Sequence, residues 1–259
     1  MPLVTLATSQ ETGRGSSSYP YEIIELPLRP LTIGPSTWVA GITADQHAAV
    51  WSAVSGLYRI PLPAEYSFSE STGVNSSGEA VGTASSGDYS RRVAFLWREK
   101  KLSLLPGGQS SATAISENGE IVGQAIYPGA KATAPVLWKG NSIIDLHVCC
   151  AGIARGINQK NVIIGDTYDP QGRYHAFLWR REGGEHLLSV PGEQYSSALA
   201  LNSRGDILLS VTPGGVFLYT GSERHELGIS KASARAMNRG RIVVGSFGPN
   251  PEAQRAFIW

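Results

Sequence analysis

Residues 112–123, ATAISENGEIVG, decide how this chain is read. A run of small residues ends in an Asn-Gly turn, and a short aliphatic run closing on glycine follows. Further on, a third run, APVLW, ends at Trp138. Alternating, β-branched runs broken by Gly, Asn and Pro read as strands. Working outward, the same signals recur along the chain. The aromatic one stands as HAAVW ending at Trp51, VAFLW at Trp97, APVLW at Trp138, HAFLW at Trp179, GVFLY at Tyr219 and AFIW at Trp259. The spacings are 46, 41, 41, 40 and 40 residues. Upstream of each stands an aliphatic signal: WVAG from Trp38, EAVG from Glu79, EIVG from Glu120, VIIG from Val162, DILL from Asp206 and RIVVG from Arg241. The turn signal precedes that one, as STGVNSSG from Ser71, ARGINQKN from Ala154, ALALNSRG from Ala198 and ARAMNRG from Ala234. In the first copy it is degenerate, PLTIGPST from Pro30. Six copies at near-constant spacing are a structural repeat.

A fourth, short apolar run closes each unit: LYRIP, KLSLLP, SIIDLHV, HLLSVP and RHELGI. Four strands per unit and six units predict an all-β, six-bladed β-propeller with four antiparallel strands per blade. A solenoid is the competing repeat fold and usually needs distinct capping units. The ends favour the ring. The sixth copy stops at its third run, residues 254–259, while YEIIELP at residues 21–27 looks like SIIDLHV and KLSLLP. Pairing the two would supply a fourth strand to blade six and close the circle without an open edge. Residues 21–259 are therefore expected to form one propeller. Residues 1–20, rich in Ser, Thr and Gly with no sustained period, are expected to form a flexible tail.

The motifs AISENGEIVG and YHAFLW resemble the bacterial HAF-repeat proteins, named for the tripeptide found here at His175-Ala176-Phe177. The resemblance covers Tyr21 to Trp259. It departs at Tyr219, at Ala134-Pro135 and in the histidine, present only at His47 and His175. It implies a propeller, in families often described as extracellular, and carries no activity.

Composition narrows the function. Lys plus Arg is 22 and Asp plus Glu is 21, a net charge of +1. That balance argues against a nucleic-acid binder with a basic face and against a polybasic membrane anchor. No apolar run approaches the ~20 residues of a membrane helix. No basic segment followed by an apolar stretch marks a signal peptide, so a cytoplasmic chain is expected, or a secreted one if a leader has been trimmed. Cys149 and Cys150 are neighbours, and a bond between them would be strained, so two free thiols are expected. The chain holds no GxSxG, HExxH, Walker loop, GxGxxG or CxxC, and no metal-ligand spacing. A site without cofactor or metal is expected.

The tryptophans repeat at one blade position, which reads as a wedge between blades and not as a ligand cage. His47 and His175, at the start of third strands, are expected to hydrogen-bond within the blades. In a propeller the first strand faces the channel. Taking the aliphatic residue before the Asn turn as reference, the position two earlier reads Leu31, Thr72, Thr113, Arg155, Leu199 and Arg235. The position four earlier reads Arg29, Glu70, Ser111, Ile153, Ser197 and Ser233. Strand alternation would put both sets on one side. Arg29, Glu70, Arg155 and Arg235 thus become candidates for one asymmetric site at the channel mouth. The arginine forks would hold an anionic or polar organic ligand.

Loops expected at that mouth add Tyr66, His147, Cys149, Tyr195, Lys231, Tyr89, Tyr127, Tyr168 and Tyr174. The leading expectation is a small-molecule-binding propeller, with a protein partner also compatible. The alternative is a cofactor-independent acid/base enzyme, a cyclase, lyase, isomerase or hydrolase, using Glu70 and His147.

Overall fold

A computed structural model of the 259-residue chain describes residues 25–126, 132–148, 150–188, 192–221, 223–228, 232–247 and 255–259. All the regular structure among them is strand. Blade one comprises β1 (Arg29–Ile33), β2 (Val39–Ile42), β3 (Ala48–Ser52) and β4 (Gly56–Arg59). Blade two comprises β5 (Phe68–Val74), β6 (Ala80–Ser85), β7 (Arg92–Arg98) and β8 (Lys101–Leu104). Blade three follows with β9 (Ser110–Ile115), β10 (Ile121–Ala125), β11 (Ala134–Lys139) and β12 (Ser142–Asp145). In blade four stand β13 (Gly152–Ile157), β14 (Ile163–Tyr168), β15 (Tyr174–Arg180) and β16 (Gly184–Leu187). Blade five holds β17 (Tyr195–Leu201), β18 (Ile207–Thr212), β19 (Gly215–Thr220) and β20 (Glu223–Glu226). Blade six holds β21 (Ala232–Met237), β22 (Val243–Phe247) and β23 (Arg255–Ile258).

Each blade is an antiparallel sheet with its strands in chain order. The six blades form a ring, and the molecule is a six-bladed β-propeller. No helix among the described residues is long and apolar enough to cross a membrane.

The first strand of every blade carries a β-bulge. Pairing skips one residue between Ser71 and Gly73, between Ala154 and Gly156, between Ala198 and Ala200 and between Ala234 and Ala236. Blades one and three have the same irregularity. The bulge presses a first-strand carbonyl onto the second strand, and glycine makes room. A Cβ on Gly82 would lie 1.9 Å from the Glu70 carbonyl oxygen and 2.8 Å from the Phe95 ring. In every blade but the fifth, where Leu209 holds the position, the aliphatic signal closes on glycine for this reason.

Blades pack through apolar wedges. Trp138 is fully buried among Val81, Leu105 and Val136, with its indole N–H donating to the Pro106 carbonyl at 2.8 Å. Trp97 packs with Val50, Ile60 and Phe95 between blades one and two. Truncating such a residue typically costs about 3–5 kcal/mol. Hydrogen bonds fix the register between blades. Ser69, Ser110 and Ser196 accept from the amides of Ala48, Ala94 and Ala176 in the preceding blade, at 2.8, 3.0 and 3.0 Å. The blade three–four interface has Pro135, without an N–H, and opposite it Gly152, without a hydroxyl. Asn158 and Asn202 fold back on their own turns through Oδ1 and donate Nδ2 to the next blade, to Asn202 O at 3.1 Å and Asn238 O at 3.3 Å.

The expected tail, residues 1–20, lies outside the described residues, as do residues 21–24 of the expected closing strand. Residues 25–27 are not in a strand. Tyr127, Cys149 and Lys231 also lie outside the described residues. Cys150 is exposed.

Candidate functional site

The bulge decides where the charged first-strand residues go. The set Leu31, Thr72, Thr113, Arg155, Leu199 and Arg235 is the extra residue of each bulge, which breaks the alternation expected from sequence. The two sets therefore diverge. Thr72 and Thr113 donate forward, to the first-strand carbonyls of Ala112 at 2.8 Å and Ala154 at 2.6 Å in the next blade. Ser111 and Ser197, from the other set, reach back to the second strand of the preceding blade. Ser111 meets Thr83 at 2.6 Å, and Ser197 donates to Asp166 at 3.0 Å.

Arg155 is tied locally. Its Nε donates to Asp166 at 2.5 Å, and buried Asp166 also accepts from the Ala198 amide at 3.0 Å. Arg155 lines a cavity of about 390 Å³ at the Asn-turn end of the channel, beside Ile33, Val74, Ile115, Ile157 and Leu201. Arg235 is exposed and has no ion pair among the described residues.

Arg29 and Glu70 come together elsewhere, in a rim cavity of about 460 Å³ between blades one and two. Its walls are Arg29 and Ile42 of blade one with Gln46 of the β2–β3 turn. From blade two come Phe68, Glu70, Thr83, Ser85 and Arg92, with Tyr89 of the β6–β7 turn. Glu70 holds the position that Ser111 and Ser197 hold in their blades. Facing it, Ile42 stands where Thr83 and Asp166 serve those serines. The half-buried Glu70 carboxylate accordingly has no ion pair among the described residues, and neither do exposed Arg29 and Arg92.

The Tyr89 turn is firmly built. Asp88 Oδ1 accepts from the Ser86 hydroxyl at 2.6 Å, the Ser90 hydroxyl at 2.8 Å and the Ser90 amide at 3.1 Å. These bonds, the Ser86 hydroxyl foremost, hold the Asp88 carboxyl down at about 2. Tyr89 takes a left-handed φ of 58° and stacks on Phe68, ring centroids 5.4 Å apart and planes 10° from parallel.

The remaining candidates are dispersed. Tyr66 packs into the blade one–two core. His147 is 89 % exposed beside Asp145, outside the rim cavity, so Glu70 and His147 form no acid/base pair. Tyr168 is exposed. Tyr174 and Tyr195 meet at 5.1 Å on the blade four–five rim, next to His175. The His175 ring lies 3.3 Å from Asp169 and 3.4 Å from Glu193, and His47 Nδ1 lies 2.8 Å from the Asp45 carbonyl. Burial pushes the Asp169 carboxyl up, but the Arg173 amide and guanidinium and the His175 ring bring it to about 2.

Sequence reasoning missed Gln46, Phe68 and Arg92 in the rim cavity and Asp166 as the partner of Arg155. Phe68, two residues before Glu70 on an unbulged stretch, was reachable by alternation. Among the described residues, no three His, Cys, Asp or Glu side chains gather to hold a metal ion.

The chain is similar to known β-propellers. It matches the β-propeller domain of the Trilobed protease from Pyrococcus furiosus, described as having an open velcro topology, at 11% identity and a TM-score of 0.59. The match covers 89% of this chain and 81% of that one. It also matches the Pyrococcus horikoshii acylaminoacyl peptidase at 11% identity and a TM-score of 0.66, covering 92% of this chain and 44% of that one. At this identity the likeness is one of fold. No protein-family model matches the chain, and no curated protein matches it.

Proposed function

We propose that the protein binds a small organic molecule in the rim cavity between blades one and two. The observation that carries this reading is the Glu70 carboxylate, which lines the cavity with no ion pair among the described residues, where the equivalent serines of blades three and five are hydrogen-bonded. A half-buried charge costs desolvation unless something answers it. A ligand hydroxyl or amine would donate to Glu70. Its carboxylate, or another anionic group, would take the forks of Arg29 and Arg92. A flat apolar body would lie against the Phe68–Tyr89 stack. The ligand class is thus a small aromatic molecule with an anionic group and a hydrogen-bond donor.

The test is thermal shift against a panel of aromatic hydroxy- and amino-carboxylates, on the wild type, Arg29→Ala and Glu70→Ser. Glu70→Ser copies Ser111, so it should stay folded. A carboxylate that raises the wild-type Tm should bind each variant at least about tenfold more weakly, the loss expected for one charge-assisted hydrogen bond. Equal shifts in all three proteins would sink the assignment.

A further inference from the structure

The rim cavity has a neighbour on blade one. A second cavity of about 350 Å³ is walled by Pro27, Leu28, Thr43 and Ala44. Arg29, Ile42 and Gln46 line both cavities, so the two spaces meet at these side chains. Their linings differ. The rim cavity holds Glu70, Arg92 and the Phe68–Tyr89 stack. Among the described residues lining the second cavity, only Arg29 is charged.

Gln46 stands at the junction, and the repeats show what its identity does there. Between blades four and five the same position is Tyr174. Its ring meets Tyr195, the counterpart of Phe68, at 5.1 Å, so an aromatic pair fills that spot. Between blades one and two a carboxamide takes its place. The Gln46 backbone is fixed in a left-handed turn, φ 64°. Its amide donates to the Thr43 carbonyl and its carbonyl accepts from the Ser69 amide, both at 3.0 Å. Its carboxamide makes no hydrogen bond among the described residues. Charge adds a second constraint. Two arginines, Arg29 and Arg92, against one glutamate, Glu70, leave the joined cavities at +1, which a monoanion answers.

We propose, resting on the rim-cavity function above, that the two cavities form one site for an N-acylated aromatic amino acid. Such a molecule is a monoanion whose amide joins an aromatic half to an aliphatic half. The ring lies against the Phe68–Tyr89 stack, and the carboxylate takes Arg29 and Arg92. A trans amide carries its C=O and N–H on opposite sides. Gln46, on the blade-one wall, donates its Nε2–H to the C=O, and Glu70, on the blade-two wall, accepts the N–H. The acyl chain enters the second cavity, against Leu28 and Ala44. A free amino acid, with no net charge, leaves the site one positive charge in excess.

Calorimetric titration with three probes tests it: phenylpropanoate, N-isovaleryl-phenylalanine and the ester analogue of the latter, in which oxygen replaces the amide N–H. The acylated amino acid should bind at least about tenfold more tightly than phenylpropanoate. The ester, with no proton for Glu70, should bind about tenfold more weakly than the amide. Gln46→Met should weaken the acylated probe about fivefold. Ala44→Leu, which fills the second cavity from an exposed turn, should bring the acylated probe level with phenylpropanoate. Suppose phenylpropanoate binds and Arg29→Ala releases it. An acyl group that then adds nothing, an ester equal to the amide, or an advantage that survives Ala44→Leu would overturn the extended site and leave the rim cavity standing. If none of the three probes binds, both fall.

Discussion

The interface between blades two and three is closed by hydrogen bonds, whereas that between blades one and two opens into a cavity. The backbones are alike, with the same bulge and the same serine-to-amide bond at their edge. Three of the side-chain differences set the hydrogen bonding. Leu31 replaces Thr72, Ile42 replaces Thr83 and Glu70 replaces Ser111. In the closed interface Thr72 donates to Ala112 O, and Thr83 meets Ser111. In the open one, Leu31 and Ile42 have no polar atom to offer, and Glu70 has no ion pair among the described residues. A repeat scaffold can therefore build a polar site by withholding partners at one joint, with no change of backbone.

The most severe way to break this contrast removes the backbone both interfaces share. Gly82→Ala sets a Cβ 1.9 Å from the Glu70 carbonyl oxygen and against Phe95. Denaturant unfolding should show a loss of about 3 kcal/mol, with the rim cavity disrupted. A milder change opens the closed interface. Ser111→Ala leaves the Thr83 hydroxyl, in a residue only 2% exposed, without its partner. The expected cost is about 2 kcal/mol by the same measurement. A cost near zero would show that the Thr83–Ser111 pair does not hold that joint.

The smallest effect concerns acid. Asp88, which braces the Tyr89 turn, titrates at about 2 in the folded chain against an ordinary 3.8. A depressed carboxyl favours the folded turn above pH 3.8, and that contribution is lost as pH falls through about 2. Tyr89 fluorescence should hold down to about pH 4 and decline below it. In Asp88→Asn that acid step should disappear.

Much of the fold was legible before any coordinates. The six aromatic signals are the third strands, the IVG runs are the second strands, and the Asn turns join first to second strands. Even the coupled loss of a hydrogen bond at Pro135 and Gly152 can be read in the aligned repeats. The site was legible only in part. Arg29, Glu70 and Tyr89 were singled out and do share a cavity. Their assignment to one axial site with Arg155 and Arg235 did not survive, because the bulge turns those two arginines out of phase. Asp166 was invisible as a partner because it joins Arg155 across a sheet and Ser197 across a blade boundary.

What the sequence alone determined is periodic: the number of blades, the strands in each, the glycine contacts and the tryptophan wedges. These follow from local pattern and from filling the same space six times. Tertiary structure decided which of the non-repeating residues meet. A one-residue bulge and the side chain opposite on the neighbouring blade set the environment of each charge, and neither has a signature in the spacing of the repeats.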